Sequence, residues 1–124
     1  MCMSYRIAAA SSDGVQIDRH FGHAETFSIF EVEENGQGPA LKARRAVSPP
    51  CQHGSHDAQA MQAVTAALAD CRYVLAEAIG GGAAAALRAR GITPLETEDT
   101  MPVAQAVQQV LVYERRQHLH RRQG

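Results

Sequence analysis

Two short stretches of the chain hold most of the side chains that could bind a metal. Asp18-Arg19-His20-Phe21-Gly22-His23-Ala24-Glu25-Thr26-Phe27 sets two histidines three positions apart in a polar turn, and a strand-like run, Phe27 to Val32, follows at once. Cys51-Gln52-His53-Gly54-Ser55-His56 brings a thiol and two more imidazoles just after Pro49-Pro50. A neutral imidazole offers an exposed lone pair and a thiolate is a soft ligand. Histidines on loops are poor core material. With four of the six histidines in these two loops, metal or cluster chemistry is a better reading than a structural role.

His20 is the leading ligand candidate, with His23 beside it. Gly22 between them permits a sharp turn and close backbone approach to a large ligand, and Phe21 is expected to anchor the loop in the core. Cys51-x-His53-x-x-His56 supplies three donors where a structural zinc needs four, so a site there stays open or recruits His20. The plainer reading of that stretch is a solvated loop before a helix, with Ser55 or Asp57 as its N-cap. Cys71 falls on an apolar helix face and belongs to the core, and Cys2 is incidental. Ser11, Ser12 and Asp13 follow a strand, where turn chemistry comes first and a polar contact from Ser12 to a ligand second. Gly80-Gly81-Gly82 before a helix exposes amides to an anion. Without the Lys-Ser/Thr of a P-loop, nucleotide binding is not indicated.

The elements that must position these residues show in the hydrophobic pattern. Tyr5 to Ala10 reads as a first strand ended by Ser11-Ser12-Asp13-Gly14. Thr26 to Glu33 carries apolar residues on both parities, a strand covered on both faces for part of its length. Asn35 to Pro39 turns the chain into a hairpin partner, Ala40 to Val47, whose Arg44-Arg45 suits an edge. After Ser48-Pro49-Pro50 the period changes. Asp57 to Asp70 places Met61, Val64, Leu68 and Cys71 on one helix face. Tyr73 to Ala76 is a short strand, and Ala83 to Arg90 is a helix capped by Gly91. Ile92 to Leu95 is a Pro-marked edge strand, and Thr100 with Pro102 opens a last helix buried through Val103, Val107, Val110 and Leu111. The order β-β-β-α-β-α-β-α describes an α/β domain with a mixed sheet.

A 124-residue chain with 45% hydrophobic residues builds one domain. The domain is expected over residues 1–113, with residues 114–124 a basic tail that includes His118 and His120, extends the last helix by a turn or two and is mobile at its end. The net charge of −1 gives no electrostatic reason to expect nucleic acid or a membrane surface as partner. No apolar run approaches the roughly 20 residues that cross a bilayer, and the N-terminus lacks the layout of a signal peptide. Three widely spaced cysteines do not make a disulfide framework. A reducing, cytoplasmic setting is expected, with Cys51 free to act as a thiolate.

Taken in order, these pieces resemble the dinitrogenase iron–molybdenum cofactor-binding family, which includes NifX/NifY-like proteins and the C-terminal domain of NifB. The resemblance rests on Ala10 to Gly14 after the opening strand and on the loop Asp18-Arg19-His20-Phe21-Gly22-His23-Ala24. It continues through the strand from Phe27 to Val32, Cys51, Asp70-Cys71, Ile79-Gly80 and Gly91-Ile92-Thr93-Pro94. It implies a ribonuclease-H-like fold, a mixed five-stranded sheet with flanking helices. It also implies a stand-alone, non-catalytic carrier of an iron–sulfur cofactor precursor or the iron–molybdenum cofactor. The implied partners are nitrogenase cofactor assembly proteins or apo-dinitrogenase, and the carrier is expected to be a monomer or weak dimer. His20 and His23 are the ligands carried over by the resemblance, with Cys51 as a possible third and Arg19 assisting a negatively charged cargo. The alternative is a mononuclear zinc or copper protein of regulatory or protective role, built on Cys51, His53 and His56. A magnesium nuclease would need several converging carboxylates, and Asp13, Asp18, Glu25, Asp70 and Glu77 show no such motif.

Overall fold

A computed structural model describes residues 4–33, 39–47 and 58–123. In chain order its elements are β1 (Ser4–Ala10), β2 (Gln16–Ile17), a single 3-10 turn (Phe21–His23), β3 (Thr26–Glu33), β4 (Ala40–Ala46), α1 (Ala58–Ala67), β5 (Tyr73–Ala76), α2 (Gly81–Ala89), β6 (Thr93–Glu96), β7 (Met101–Pro102) and α3 (Val103–Gln123). Five strands form one mixed sheet in the order β4-β3-β1-β5-β6, and β2 pairs with β7 in a separate ribbon. β1 runs antiparallel to β3, with Ala8 opposite Ile29, and parallel to β5, with Ile7 opposite Tyr73. β6 extends the parallel side, and β4 closes the antiparallel side. The mixed five-stranded sheet with flanking helices is the architecture expected from the sequence.

Strand β1 is the centre, and Ile7, Ala8, Ala9 and Ala10 are all fully buried. Alternate residues of a strand face opposite ways, so burial of consecutive residues means that both faces are covered. On one face Ala8, Ala10, Phe27, Ile29, Val74 and Ala76 meet Val64 of α1, Leu68 just beyond its end, and Leu87 of α2. On the other, Ile7, Ala9, Val32 and Leu75 meet Ile17 and the stripe Val103, Ala106, Val107 and Val110 of α3. That spacing of three and four residues is one face of a helix. Each fully buried Leu, Ile or Phe contributes about 1.5–3 kcal/mol relative to exposure. Cys71 lies in the first of these clusters, 4% exposed, as its position on an apolar face leads one to expect.

The edges also follow the sequence. Arg44 and Arg45 lie on β4 and Pro94 on β6, the two outer strands. Gly91 follows α2 with a φ of 78°. Its N–H donates to Arg88 O and that of Ile92 to Leu87 O, both at 3.0 Å, a Schellman ending that needs the left-handed residue glycine supplies.

Two features depart from the sequence reading. The β2–β7 ribbon is too short to leave a periodic signal. It takes Met101 and Pro102 into a strand, so α3 begins at Val103 and not at Thr100, with the Val103 N–H donating to Val15 O at 2.8 Å. Helix α2 begins two residues early, taking Gly81 and Gly82 into its first turn. Helix α3 runs unbroken past residue 113 to Gln123. Glu114, on the tail side of that boundary, accepts hydrogen bonds from Arg72 and from the Tyr73 hydroxyl. The Tyr73 ring meets Tyr5 and Tyr113 edge-on at 5.8 and 6.0 Å, which fastens the middle of α3 to the start of β5. Burial, reinforced by the Glu114 carboxylate, pushes the Tyr5 hydroxyl up to about 12.

Asp70, just beyond α1, joins three elements. Arg45 of β4 donates twice to its carboxylate, at 2.6 Å each, and Arg6 of β1 once at 2.6 Å. Arg45 foremost, then Arg6, holds the Asp70 carboxyl well below the usual carboxylate range. A lowered folded-state value means the contribution is present above the unfolded value near pH 4 and fades as pH falls through the folded one. The side chain is 39% exposed, so solvent screens the pairs. Asp70→Asn is therefore expected to cost about 1 kcal/mol at neutral pH. Urea unfolding at pH 7 and pH 2 checks this, and the gap between wild type and variant should narrow at the lower pH.

Candidate functional site

The parallel strands β1, β5 and β6 end on the same side of the sheet, at Ala10, Ala76 and Glu96, the side where α/β sheets place ligands. The segment after β1 is held by its own side chains. Asp13 accepts from the N–H groups of Val15 and Gln16 at 2.8 and 3.0 Å and from the Ser11 hydroxyl at 3.1 Å. These bonds, Val15 first, keep its carboxyl below the usual range. Ser12 directs both its hydroxyl and its N–H at Asp18, at 2.5 and 3.0 Å. Arg44 reaches across from β4 to Ser11 O at 2.9 Å.

The His20 loop is pinned on both sides of the histidine. Glu77, the first residue beyond β5, donates its N–H to Arg19 O at 2.9 Å, and Phe21 donates its N–H to Ala78 O at 2.9 Å. Phe21 is fully buried and packs on Phe27 with ring centroids 5.7 Å apart, the anchoring role expected for it. The chain then makes one 3-10 turn containing Gly22, closed by the His23 N–H on His20 O at 3.1 Å. The consequence is a fixed backbone carrying free side chains. The imidazole of His20 is 59% exposed, and Arg19 and His23 are exposed beside it.

The two rings lie with centroids 6.5 Å apart. With metal–nitrogen bonds of about 2 Å, two imidazoles sharing one ion hold their centroids roughly 5–6 Å apart. The observed spacing lies just above that range, and since both side chains are exposed they can turn to share one ion or to meet two atoms of a larger cluster. Among the described residues no group of three or more His, Cys, Asp or Glu is arranged to hold a single metal ion. Cys51, His53 and His56 lie outside the described residues. Burial pushes the Cys71 thiol up to about 12, which leaves it a packing residue and not a ligand.

Glu77 is a site residue that sequence patterning gives little reason to choose. Its carboxylate lies 3.8 Å from His20 Nε2 and accepts the Thr100 hydroxyl at 2.9 Å, while its carbonyl accepts the Glu98 N–H at 3.0 Å. Glu98 takes a φ of 69°, the single non-glycine residue with positive φ among those described, and a conformation uncommon for such residues. The available signal was position alone, since Glu77 directly follows a fully buried strand.

The sequence matches the family described as "Dinitrogenase iron-molybdenum cofactor" over residues 3–112. The chain belongs to the dinitrogenase iron-molybdenum cofactor family. Family relatives include Protein NifX of Rhodobacter capsulatus, 31% identical over 109 residues, covering 86% of this chain and 68% of the relative. The FeMo cofactor biosynthesis protein NifB of Herbaspirillum seropedicae is 33% identical over 94 residues, covering 76% of this chain but 18% of that protein. The chain thus spans most of a NifX-sized protein and a small part of a NifB. The fold is similar to the NMR structure of a putative NifB protein from Thermotoga, with a TM-score of 0.57 at 19% identity over 84% of each chain. No described helix is long and apolar enough to cross a membrane.

Helix α2 begins close to the His20 loop, three residues after Ala78, whose carbonyl holds Phe21. Its N-cap Gly80 makes no side-chain capping bond. A Cβ built on Gly80, Gly81 or Gly82 meets nothing within 4 Å, and none of the three has a left-handed φ. Neither packing nor backbone conformation requires glycine there. Gly81→Ala and Gly82→Ala are each expected to stabilise the protein by about 0.5–1 kcal/mol, read as a raised urea midpoint. A lowered midpoint would mean that the fold itself needs these glycines.

Proposed function

We propose that this protein is a non-catalytic carrier in nitrogenase cofactor biosynthesis. It binds an iron–sulfur precursor or the iron–molybdenum cofactor as cargo through His20 and His23, and hands it to a cofactor assembly protein or to apo-dinitrogenase. The observation that carries this reading is the pair of exposed imidazoles on a backbone pinned on either side of His20. Family membership supports the choice of cargo.

A carrier needs ligands that hold and then let go. A full set of thiolates, the usual way of keeping an iron–sulfur cluster, would oppose release. One or two imidazoles leave most of the cluster's surface for an acceptor, and their spacing allows each to meet a different iron. The uncovered amides at the start of α2 and the guanidinium of Arg19 are the groups beside this loop that favour a negatively charged cargo. Ser12 supports the loop through Asp18. A thiolate from Cys51 would add a third, soft ligand. The setting is a reducing cytoplasm, where such a thiolate survives.

Anaerobic gel filtration of the apo-protein with isolated iron–molybdenum cofactor, and separately with its iron–sulfur precursor, tests the reading. Stoichiometric co-elution of iron is expected with wild type, falling at least tenfold in His20→Ala while the circular dichroism spectrum is unchanged. Equal co-elution with wild type and variant would remove His20 from the site. No co-elution of either cluster, with zinc bound stoichiometrically and lost in Cys51→Ser, would favour a mononuclear metal protein instead.

A further inference from the structure

We propose that Glu77 is the positioning residue of this site: it accepts the Nε2 proton of His20 and so presents Nδ1 as the ligand atom. The inference rests on the carrier reading and adds to it the atom that binds and the group that aims it. Metal-binding histidines commonly donate their second ring N–H to a carboxylate, which fixes tautomer and ring orientation and strengthens the ligand. Glu77 is placed for that task and is itself held. Its N–H is bonded to Arg19 O and its carbonyl to Glu98. Its Oε2 accepts from Thr100 at 2.9 Å, which leaves Oε1 turned toward His20 Nε2.

The 3.8 Å between Oε1 and Nε2 is longer than a hydrogen bond, and the partner that moves is His20. Its imidazole is 59% exposed against 23% for the Glu77 side chain. A rotation of the ring that closes the gap by about 1 Å brings the pair to bonding distance and turns Nδ1 away from the carboxylate. Thr100 extends the arrangement into the chain that enters β7 and α3. The left-handed turn at Glu98 brings that chain's N–H onto the Glu77 carbonyl. Two separate segments therefore hold Glu77, the His20 loop through its N–H and the chain after β6 through its carbonyl and carboxylate, and its side chain faces the proposed ligand.

Two readouts test the proposal, the first without any cargo. In apo-protein labelled with 15N-histidine, the His20 ring signals are assigned by their loss in His20→Ala. At a pH where the ring is neutral, wild type is expected to show almost entirely the Nε2–H tautomer. Glu77→Ala should show a mixture, and Thr100→Val a smaller shift in the same direction. Unchanged His20 ring signals in Glu77→Ala would overturn the proposal. In the second, the dissociation constant for isolated iron–molybdenum cofactor is expected to rise about 10–100-fold in Glu77→Ala, with partial recovery in Glu77→Gln, which keeps an acceptor oxygen in place. Cofactor bound by His23→Ala protein carrying [δ1-15N]histidine should show strong 15N hyperfine coupling that is lost in the further variant His20→Ala, and [ε2-15N]histidine a weak one. The reverse pattern, or equal affinity in Glu77→Ala, would overturn it. Failure of wild type itself to bind, with the tautomer still dependent on Glu77, would sink the carrier reading and leave the contact standing.

Discussion

The parallel pairing of β1 with β5 is the constraint on which the rest of the structure depends. It sets the carboxyl ends of both strands side by side, so the residues just after each, Ser11 to Asp13 and Glu77 to Gly80, share one end of the sheet. The pairing holds because both strands are buried on both faces. The run Ala8-Ala9-Ala10 has little side-chain bulk, which lets α1 and α2 approach from one side and α3 from the other. A larger residue there would force the layers apart, and overpacking of a filled core commonly costs 1–3 kcal/mol. The few large anchors, Phe21, Phe27 and Leu87 among them, lie around this thin centre.

Much of the fold was legible because its signals are local. The period of α1, the apolar run of β3, the cap at Gly91 and the edge markers Arg44 and Pro94 each depend on residues near one another in the chain. What was not legible depends on distant ones. The ribbon of Gln16–Ile17 with Met101–Pro102 joins segments more than eighty residues apart, and two residues carry no period. Thr100 was read as the opening of the last helix because Thr suits an N-cap. The Glu77 carboxylate, a tertiary partner invisible to propensity, takes its hydroxyl instead.

The site divides along the same line. His20 and His23 were visible because two histidines in a polar loop before a strand are conspicuous by composition. That their backbone would be pinned to Glu77 and Ala78 was not visible, since it depends on the crossover that brings β5 beside β1. Ser12 shows the opposite case. It was read as a turn residue first and a ligand contact second, and its two bonds to Asp18 show how it shapes the turn. Glu77 had no pattern to mark it, because an isolated acidic residue after a strand is common.

The charges at this end bear on the mechanism of exchange. Asp13, Asp18, Glu25, Glu77, Glu98 and Asp99 lie on the loops around the His20 segment or on the chain following β5 and β6, with Glu96 the last residue of β6, against Arg19 and the edge residue Arg44. A negatively charged cluster seated there meets loops that carry more carboxylates than guanidinium groups, offset in part by Arg19 and the first amides of α2, and salt screens the exposed groups beyond roughly 8–10 Å. Coulomb attraction is therefore not what retains the cargo on the reading advanced here. Coordination by imidazole must supply the affinity, while the surrounding carboxylates oppose it. That balance distinguishes a carrier from a store. The bond to iron is directional and is lost once an acceptor's ligand replaces the histidine, whereupon the like charges favour departure. A site lined with arginines and thiolates would bind more tightly and deliver more slowly.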